Sequence, residues 1–510
     1  MTKRPLKRPR MNISALVPLH LEGATPLYRQ LYDGLRNAML RGQLQSGTRL
    51  PSTRSLADEL QISRTTVLIA YQQLLAEGYL EGKLGSGTFV ARTLPDELFS
   101  ARPQPTLAAQ PAPSDRSPSS SAAMLTRAAQ ALAPVLIPVQ DEQTAFRLGL
   151  PALDAFPLDI WGRLLSRRYH HSASSLLRYQ QAAGYQPLRE AIAAYLGMAR
   201  GVRCTPEQVF IVAGSQQGLD LTARVLLQPE DAVWVENPGY LGARLALLGA
   251  GARLIPVPVD QEGLDIVAGQ ARCANARLAY ITPSHQFPLG AKMSLARRFA
   301  LLDWARRSGA WILEDDYDSE YRYVGRPLAA LQGIDTSGRV LYLGTFSKVL
   351  FPALRLGYLI IPPDLVDHFV AVRLSTDTHS PILEQAVLAD FITEGHFSRH
   401  LRRMRTLYAE RQVLFLEAAH QELGGLVEIA PDETGMHLIG WLPPGTDDQF
   451  IAQQAAARYG LNISPLSLFS LEPLQRTGLV LGYAATNEQQ IRRGLRQLAT
   501  VIRPTLADLS

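Results

Sequence analysis

Apolar residues near the start of the chain recur every three or four positions, the spacing of an α-helix that packs along one side. The apolar positions of this stretch are Leu27, Leu31, Leu35, Ala38 and Met39. Thr25 as N-cap and Pro26 at the first helical position predict where the helix begins, and Gly42 predicts where it ends. The first domain is therefore predicted to open with an amphipathic helix.

Two shorter helices and a hairpin are predicted next. The first helix runs from about Ser52 to Leu60, and the second begins after the cap Ser63. The inner face of the second helix is predicted to comprise Val67, Ala70, Tyr71, Leu74 and Leu75. Two short strands follow, joined by a turn at Gly85-Ser86-Gly87. This order is typical of a winged helix-turn-helix, which presents the start of its second helix to the major groove of DNA.

Short apolar strands alternate with amphipathic helical stretches from about residue 141 onward. The predicted strands are Val209–Val212, Ala232–Val235, Arg253–Val257, Leu278–Ile281, Trp311–Leu313 and Val340–Leu343. This alternation predicts an α/β domain with a mostly parallel sheet covered by helices on both faces. Ligands of such sheets bind at the carboxyl ends of the strands.

The composition divides the chain into four parts. We predict a basic arm over residues 1–24, the winged helix-turn-helix over 25–92, a linker over 93–140 and the α/β domain over 141–510. The linker is rich in proline and serine, which do not form a packed core. A short helix near Met124–Leu132 is one interpretation of its middle part. The linker either lets the two domains move or is a passive tether.

Length and composition narrow the class of protein. A chain of 510 residues is expected to form two or more domains, and its hydrophobic fraction of 46% allows a substantial core. The two cysteines, Cys204 and Cys273, lack the spacing of metal ligands, so no metal site is predicted. No apolar run has membrane-spanning length, and the start lacks the apolar core of a signal peptide. We expect a soluble, cytoplasmic protein that is not bound to a membrane.

The basic residues are concentrated in the first domain. Residues 1–92 carry 13 Lys and Arg against 6 Asp and Glu, whereas the rest of the chain carries 38 against 40. A basic N-terminal domain joined to a near-neutral remainder is typical of a chain whose N-terminal domain binds nucleic acid. A solvated basic surface without a partner would have the same composition.

The first domain resembles the GntR family of bacterial regulators. The matching stretches are Leu50-Pro51-Ser52-Thr53-Arg54, Ser63-Arg64-Thr65-Thr66-Val67, Glu77-Gly78-Tyr79-Leu80 and Gly85-Ser86-Gly87-Thr88-Phe89-Val90. The resemblance implies contacts with double-stranded operator DNA. The residues implied are Arg49, Ser52, Arg54, Ser63, Arg64, Thr65 and Thr66, with Gly87 in the wing. Ser63 could instead serve only as a cap, and Arg54 could pair only with Asp58.

One lysine lies in the middle of the apolar stretch Leu341–Leu359. Lys348 follows Thr345-Phe346-Ser347 and precedes Arg355 by seven residues. A lysine among apolar neighbours has a lowered pKa, and its neutral amine can form a Schiff base with an aldehyde cofactor. A surface lysine whose stem lies along a buried strand would show the same local pattern.

Three further polar clusters follow predicted strands. Ser215 and Gln216 stand where a helix start could bind a phosphate, although ordinary helix caps look the same. Asp315 lies among several carboxylates that would need a positive partner if buried, or that simply interact with a helix dipole. Tyr240 could place its ring against a planar cofactor or pack on the core.

Together these clusters resemble fold-type I enzymes that use pyridoxal 5′-phosphate (PLP), and with the first domain the chain resembles the MocR subfamily of GntR regulators. The resemblance implies a PLP-dependent transferase fold of type I, with a mostly parallel sheet and a small α+β subdomain. It implies Lys348 as the Schiff-base lysine, Asp315 on the pyridine nitrogen, Tyr317 on the ring hydroxyl and Tyr240 stacked on the ring. It further implies a phosphate site formed by Ser215, Gln216, Thr345 and Arg355, with Tyr179 reaching the phosphate of the partner in a homodimer.

The chain departs from the aminotransferase pattern in two places. The motif Asn-Pro-x-Gly is replaced by Phe287-Pro288-Leu289-Gly290, and His285 or Gln286 is a candidate substitute for the asparagine. The strand Gly478–Tyr483 lacks the arginine that binds the substrate carboxylate. Arg476 is a candidate replacement, or a surface residue.

The sequence leads to three hypotheses of different classes. The first is a PLP-responsive transcriptional regulator that senses PLP, an amine or an amino acid through an aldimine at Lys348. It would control genes of vitamin B6 or amino-compound metabolism. The alternative is an active PLP-dependent aminotransferase that carries a DNA-binding head. The third is a regulator with a degenerate cofactor site. The missing arginine argues against ordinary transamination, while the presence of Lys348, Asp315 and Arg355 argues against degeneracy.

Overall fold

A computed structural model of the chain describes residues 13, 16–20, 25–83, 87–92, 94, 145–171, 174–325 and 328–507. The predicted basic arm (apart from a few positions), most of the linker, the proposed helix at Met124–Leu132 and the turn residues Gly85 and Ser86 lie outside the described residues. The chain divides into two compact units, residues 1–119 and 120–510.

The first unit is a winged helix-turn-helix. Its helices are α1 (Leu27–Leu40), α2 (Thr53–Leu60) and α3 (Arg64–Ala76), and its antiparallel strands are β1 (Leu80–Lys83) and β2 (Gly87–Val90). Ser52 caps α2 by accepting a hydrogen bond from the Ser55 N–H at 3.2 Å. Ser63 caps α3 by accepting one from the Thr66 N–H at 3.1 Å. The order of elements predicted from the sequence is confirmed.

Two details of the first unit differ from the prediction. The residue that precedes α1 as its N-cap is Pro26 rather than Thr25, and it makes no side-chain capping bond. Leu75 is 38% exposed, because it lies beyond the buried stripe formed by Val67, Ala70, Tyr71 and Leu74 on α3.

The second unit contains the remaining helices and strands. The helices are α4 (Leu158–His171), α5 (Gln186–Arg200), α6 (Ser215–Leu226), α7 (Leu241–Gly249), α8 (Ile266–Cys273), α9 (Leu295–Ser308), α10 (Leu331–Ile334), α11 (Val366–Thr376), α12 (Ile382–Thr393), α13 (His396–Leu423), α14 (Asp448–Tyr459) and α15 (Glu488–Ala507). The strands are β3 (Val209–Val212), β4 (Ala232–Asn237), β5 (Arg253–Asp260), β6 (Gly263–Leu264), β7 (Leu278–Ile281), β8 (Trp311–Asp316), β9 (Val340–Thr345), β10 (Gly357–Ile360), β11 (Glu428–Ile429), β12 (His437–Trp441), β13 (Ser464–Pro465) and β14 (Gly478–Gly482).

An eight-stranded sheet forms the centre of this unit, in the order β3-β10-β9-β8-β7-β4-β5-β6. The neighbouring pairs from β9 to β5 are parallel. Strand β10 is antiparallel to both β3 and β9. The prediction of a mostly parallel sheet is confirmed, and the carboxyl ends of β3, β4, β7, β8 and β9 meet at one edge.

Alternate residues of the central strands pack on opposite faces of the sheet. In β4, Val233 and Val235 belong to the apolar core beneath α6, α7 and α11, whereas Trp234 belongs to the core beneath α8 and α9. On that second face the Trp234 and Trp304 rings stack with centroids 3.9 Å apart. Burial on both faces explains why these strands are continuously apolar in the sequence.

The small subdomain, as we call residues 424–507, is built around a four-stranded antiparallel sheet in the order β11-β12-β14-β13. The long helix α13 leads into it, and α13 packs closely on α15. A segment of the large part, Tyr321–Tyr323, bonds with residues 433–435 of the small subdomain, through the pairs Tyr323 N–H to Glu433 C=O at 2.8 Å and Gly435 N–H to Tyr321 C=O at 3.0 Å.

Four strands end later than predicted from the sequence: β4 at Asn237, β5 at Asp260, β8 at Asp316 and β9 at Thr345. Two strands of the central sheet, β6 and β10, were not among the predicted strands. Strand β8 continues through Asp316 and β4 through Asn237, because their polar residues pair with neighbouring strands before the chain turns. The sequence pattern marks β10, Gly357–Ile360, only as an apolar flank of the lysine stretch. Its antiparallel direction brings Arg355, two residues before the strand begins, to the edge where the parallel strands end.

Candidate cofactor and DNA sites

Lys348 lies three residues after β9, at the carboxyl edge of the sheet. Its Nζ donates a hydrogen bond to the Gly149 carbonyl at 2.9 Å. Burial lowers the pKa of the Lys348 amine, and the charges of Asp318 and Asp315 counteract this only in part. A backbone carbonyl is a neutral partner, so no salt bridge holds the amine in its charged form within the described residues.

Asp315 lies in β8 and is only 4% exposed. Its Oδ2 accepts a hydrogen bond from the Tyr280 hydroxyl at 2.8 Å. Its Oδ1 is buried and has no hydrogen-bond partner in the described part of the chain. Burial raises the pKa of the Asp315 carboxyl to about 7, with further contributions from nearby acidic groups. A buried carboxylate oxygen without a partner is costly, and a bound cationic N–H would relieve that cost.

Besides Tyr280, the two tyrosines predicted to contact the cofactor lie near Asp315. Tyr240 precedes α7, and its ring centroid is 5.8 Å from that of Phe287. Burial raises the pKa of Tyr240 to about 12, and the nearby charge of Asp315 adds to the effect. Tyr317 follows β8, and its hydroxyl is 3.0 Å from Nδ1 of His285. Burial raises the pKa of Tyr317 well above its ordinary value, so both phenols stay protonated.

The start of α6 and the start of β10 lie side by side. A Cβ added to Gly214, which precedes α6 at φ +88°, would be 3.2 Å from Nη2 of Arg355. The Arg355 guanidinium donates to the Ala213 carbonyl at 2.7 Å. Arg355 is thus packed against the turn that leads to Ser215, where free helical N–H groups and a cation favour an anion.

The other two predicted phosphate ligands lie on neighbouring elements. Thr345, the last residue of β9, accepts a hydrogen bond on Oγ1 from the Ser347 N–H at 3.2 Å. Gln216 lies in the first turn of α6, and its Nε2 donates to the Gly242 carbonyl at 2.9 Å. Thr345 is thus fixed near Lys348, whereas the Gln216 amide is already used to join α6 to α7.

Tyr179 lies apart from this cluster. The residue is 89% exposed, and its ring makes an edge contact with His379 at 6.1 Å between centroids. A tyrosine this exposed is available to a second copy of the chain, and its role at a partner's phosphate stays a prediction.

The two candidates for the missing asparagine are both buried but differently engaged. Gln286 donates to the Pro238 carbonyl at 2.9 Å and accepts from the Leu289 N–H at 3.0 Å, so its amide holds two loops together. His285 contacts Tyr317 and two carboxylates, Asp318 at 3.0 Å and Asp432 at 3.4 Å. Of the two, His285 is the one in contact with a predicted cofactor residue.

Arg476 lies on the small sheet. Its guanidinium pairs with Glu428 at 2.7 Å and lies over the Trp441 ring at 5.4 Å from the centroid. All three residues belong to the small subdomain, and the Arg476 side chain is 41% exposed. Its proposed contact with an effector is not supported by these partners and stays a sequence-based prediction.

Gly149 and Asp318 were not among the predicted site residues. Gly149 contacts Lys348 across 199 positions of the chain, and a Cβ there would lie 2.5 Å from Nζ. Asp318 is 1% exposed and bonds His285. The run of acidic residues from Glu314 to Asp318, at the end of β8, contained the signal for Asp318, whereas no local pattern marks Gly149.

The predicted DNA-contacting residues lie at the two helix starts and the wing of the first unit. Ser63 and Thr66 bond each other through their hydroxyls at 2.8 Å in the first turn of α3. Arg64 and Thr65 are exposed in the same turn. The Arg49 side chain lies against Gly87, where a Cβ would be 3.0 Å from its Nε. Arg54 is exposed and forms no ion pair with Asp58 within the described residues, whereas Ser63 does serve as a cap.

Each half of the chain matches a known family. Residues 27–90 match the family described as "Bacterial regulatory proteins, gntR family", and residues 152–498 match "Aminotransferase class I and II". The chain is 43% identical over 483 residues to the probable rhizopine catabolism regulatory protein MocR of Rhizobium meliloti, covering 95% of each chain.

Two further comparisons extend this result. The chain is 31% identical over 493 residues to the HTH-type pyridoxine biosynthesis transcriptional regulator PdxR of Corynebacterium glutamicum, covering 95% of this chain and 98% of that one. Its second unit resembles the crystal structure of Pyrococcus horikoshii kynurenine aminotransferase, at a TM-score of 0.67 and 29% identity, over 76% of this chain and 97% of that one.

The protein is therefore a GntR-family transcriptional regulator that carries an aminotransferase class I and II domain of fold type I. Within that class, the chain belongs to the MocR-type regulators. No helix in the described ranges is long and apolar enough to cross a membrane. The same ranges contain no group of three or more His, Cys, Asp or Glu side chains arranged to bind a metal ion.

Proposed function

We propose that this regulator binds PLP covalently at Lys348 and that PLP, or an amine or amino acid that reacts with it, controls its affinity for operator DNA. The observation that carries the proposal is the unpartnered, buried Oδ1 of Asp315. A protonated pyridine nitrogen is a partner of the right charge, and the aminotransferase class I and II family to which the domain belongs typically binds PLP.

The residues near Asp315 fit the rest of PLP. Lys348 offers an amine whose pKa is lowered by burial, which suits attack on an aldehyde. Ser215 at the start of α6, with Arg355 beside it and Thr345 nearby, suits a phosphate. Tyr240 offers an aromatic face and Tyr317 a phenolic donor. When bound through its pyridine nitrogen, PLP withdraws electrons from an amine substrate, and the protein supplies orientation and charge.

We further propose that the protein is a cytoplasmic homodimer in which Tyr179 of each subunit reaches the other subunit's phosphate site. DNA contacts are assigned to Arg49, Ser52, Arg54, Arg64, Thr65 and Thr66, with Ser63 as a cap and Gly87 in the wing. An effector shifts the equilibrium between two arrangements only if its affinity differs between them. Control of DNA binding therefore requires that the domains respond to occupation of the PLP site.

Operator binding tests this proposal directly. The affinity of the full chain for the DNA upstream of its own gene and neighbouring genes is measured with and without PLP, and then across a panel of amines and amino acids. The proposal predicts that PLP or one of these compounds changes the operator affinity of the wild type several-fold and leaves that of Lys348→Ala unchanged. Equal affinity under all conditions would contradict it.

An active aminotransferase is the competing function. The same purified protein, supplied with common amino donors and keto acids, should show no sustained turnover, because β14 and the Tyr483 that follows it offer no arginine for a substrate carboxylate. Sustained turnover would show that the PLP site catalyses transamination and would contradict a purely regulatory role.

A further inference from the structure

A buried histidine joins two acidic residues from different parts of the second unit. His285 follows β7, Asp318 lies two residues after β8, and Asp432 lies in the small subdomain between β11 and β12. Nδ1 of His285 is 3.0 Å from Oδ2 of Asp318, and Nε2 is 3.4 Å from Oδ2 of Asp432. The side chains of His285 and Asp318 are 2% and 1% exposed.

Two glycines leave room for this arrangement. A Cβ on Gly435 would lie 2.2 Å from Cε1 of His285, and a Cβ on Gly290 would lie 2.4 Å from Oδ2 of Asp432. Both glycines have positive φ, +92° and +78°. The backbone on either side of the imidazole therefore accepts only residues without a side chain, and the ring has a fixed place between its two carboxylates.

Both ring nitrogens of His285 carry hydrogen at neutral pH. Burial alone would lower the pKa of the imidazole, but the charges and hydrogen bonds of Asp318 and Asp432 outweigh burial and raise it to about 10. The other titratable neighbours are Tyr317, which is protonated, and His437, whose ring lies 5.6 Å away and whose pKa is lowered to about 4 by burial. Neither offers His285 a further charge.

The proton on Nδ1 determines what the Tyr317 hydroxyl can do. The Tyr317 oxygen is 3.0 Å from Nδ1. A protonated Nδ1 has no lone pair, so Tyr317 cannot donate its proton to it and can only accept. The hydroxyl hydrogen of Tyr317 is then left for a different acceptor.

We propose that Asp318 is a positioning residue that acts through His285 to keep the Tyr317 hydroxyl proton available to the bound ligand. This inference rests on the proposed function, in which Tyr317 donates to the ring oxygen of PLP. The carboxylate of Asp318 selects hydrogen on Nδ1. Without it, the neutral imidazole keeps its hydrogen on Nε2, facing Asp432, and the Nδ1 lone pair accepts the Tyr317 proton.

Asp318 and Asp432 thus have opposite effects on the same histidine. Loss of Asp432 leaves the hydrogen on Nδ1, facing Asp318, and Tyr317 still donates to the ligand. Loss of Asp318 redirects Tyr317 away from it. The substitution Asp432→Asn is therefore a matched control for Asp318→Asn, because each removes one carboxylate from the same imidazole.

A double-mutant cycle with Tyr317→Phe tests the inference and cancels the direct effect of the Asp318 charge on the ligand. The measured quantity is the pH midpoint of the visible absorbance band of protein supplied with PLP. Removing a hydrogen bond to a charged oxygen makes that oxygen more basic, so Tyr317→Phe is expected to raise the midpoint by about one pH unit. We expect this shift in the wild-type and Asp432→Asn backgrounds and no shift in the Asp318→Asn background.

Three outcomes decide between the possibilities. An equal Tyr317→Phe shift in all three backgrounds would overturn the role of Asp318 while leaving the PLP site intact. A wild-type protein without a visible band would overturn the proposed function itself and the inference with it. Should Asp318→Asn fail to fold, Asp318→Ser replaces it in the same cycle, with the same expected loss of the shift.

Discussion

The buried carboxyl of Asp315 gives the clearest prediction at the scale of single residues. Its pKa in the folded protein is about 7, against an ordinary value near 4. In the absence of PLP the folded state therefore resists ionising this group, and the protein loses stability as the pH rises from about 4 through 7. Above pH 7 the whole penalty applies, on the order of a few kcal/mol.

The substitution Asp315→Asn should remove that penalty and the pairing with PLP together. Without PLP, the thermal midpoint of the variant should rise relative to the wild type between pH 5 and pH 8. Its PLP affinity should fall by at least tenfold, because the neutral amide cannot balance a pyridinium. Asp303→Asn, at an exposed surface pair, is the control for both measurements. Unchanged PLP affinity in Asp315→Asn would refute the assignment.

A second prediction for a single residue concerns Gly149, which contacts the Lys348 side chain. At φ +67°, alanine costs roughly 1 kcal/mol of backbone strain, and its Cβ would lie 2.5 Å from Nζ of Lys348. Gly338 has φ +66° and nothing within 4 Å of the position of a Cβ, so it isolates the strain from the contact. We expect similar losses of stability in Gly149→Ala and Gly338→Ala, measured by thermal unfolding, but loss of PLP binding in Gly149→Ala alone. Normal PLP binding by Gly149→Ala would show that Lys348 does not need this position.

Elements with a strong local pattern, which include the buried parallel strands, were largely predictable, whereas the antiparallel strand β10 was not. The helices α1 to α3 have apolar stripes that lie within a few residues, and α2 and α3 also have side-chain caps, so the sequence predicted them. Strand β10 has four apolar residues that look like the flank of any buried strand, and its direction depends on β3 and β9. The clusters around Ser215, Asp315 and Lys348 were predictable because parallel strands end at one edge of the sheet.

The contacts that complete the site were not predictable from the sequence. Gly149 and Lys348 are brought together by tertiary packing across 199 positions, and Asp432 reaches His285 from the small subdomain across 147. A single glycine or a single aspartate has no local sequence pattern that would identify a partner so far away along the chain. Arg476 was likewise selected by its position in the sequence, which does not reveal its tertiary partners, and it pairs with Glu428 instead.

Two substitutions of Ser63, at the start of α3, distinguish whether this residue is a helix cap, a DNA contact or both. Ser63→Ala removes the cap and should cost about 1 kcal/mol of stability in the first unit. Ser63→Asp keeps the cap and places a negative charge beside the phosphates, so stability should be retained while operator affinity falls at least tenfold. Ser294→Asp, at the cap of α9, should leave operator affinity unchanged. Normal operator binding by Ser63→Asp would mean that Ser63 only caps.

At the scale of the whole molecule, the exposed Tyr179 predicts that the cofactor sites are shared between subunits. Tyr179→Ala and Lys348→Ala should each bind PLP poorly, for different reasons. When the two variants are mixed and allowed to exchange subunits, a mixed dimer contains one site with both defects and one intact site. Recovery of PLP binding to about one quarter of the wild-type capacity is expected. No recovery, with subunit exchange verified, would show that Tyr179 acts within its own subunit or not at all.

PLP binding at Lys348 is tested most directly by the visible absorbance of the purified protein with added PLP, compared with Lys348→Ala and with Lys292→Ala. Lys292 pairs with Glu433 at 2.8 Å and serves as a lysine control outside the site. We predict a visible band, distinct from that of free PLP, in the wild type and in Lys292→Ala, and its absence in Lys348→Ala. A band that persists in Lys348→Ala, or that never forms in the wild type, would contradict the assignment of Lys348 as the residue that binds PLP.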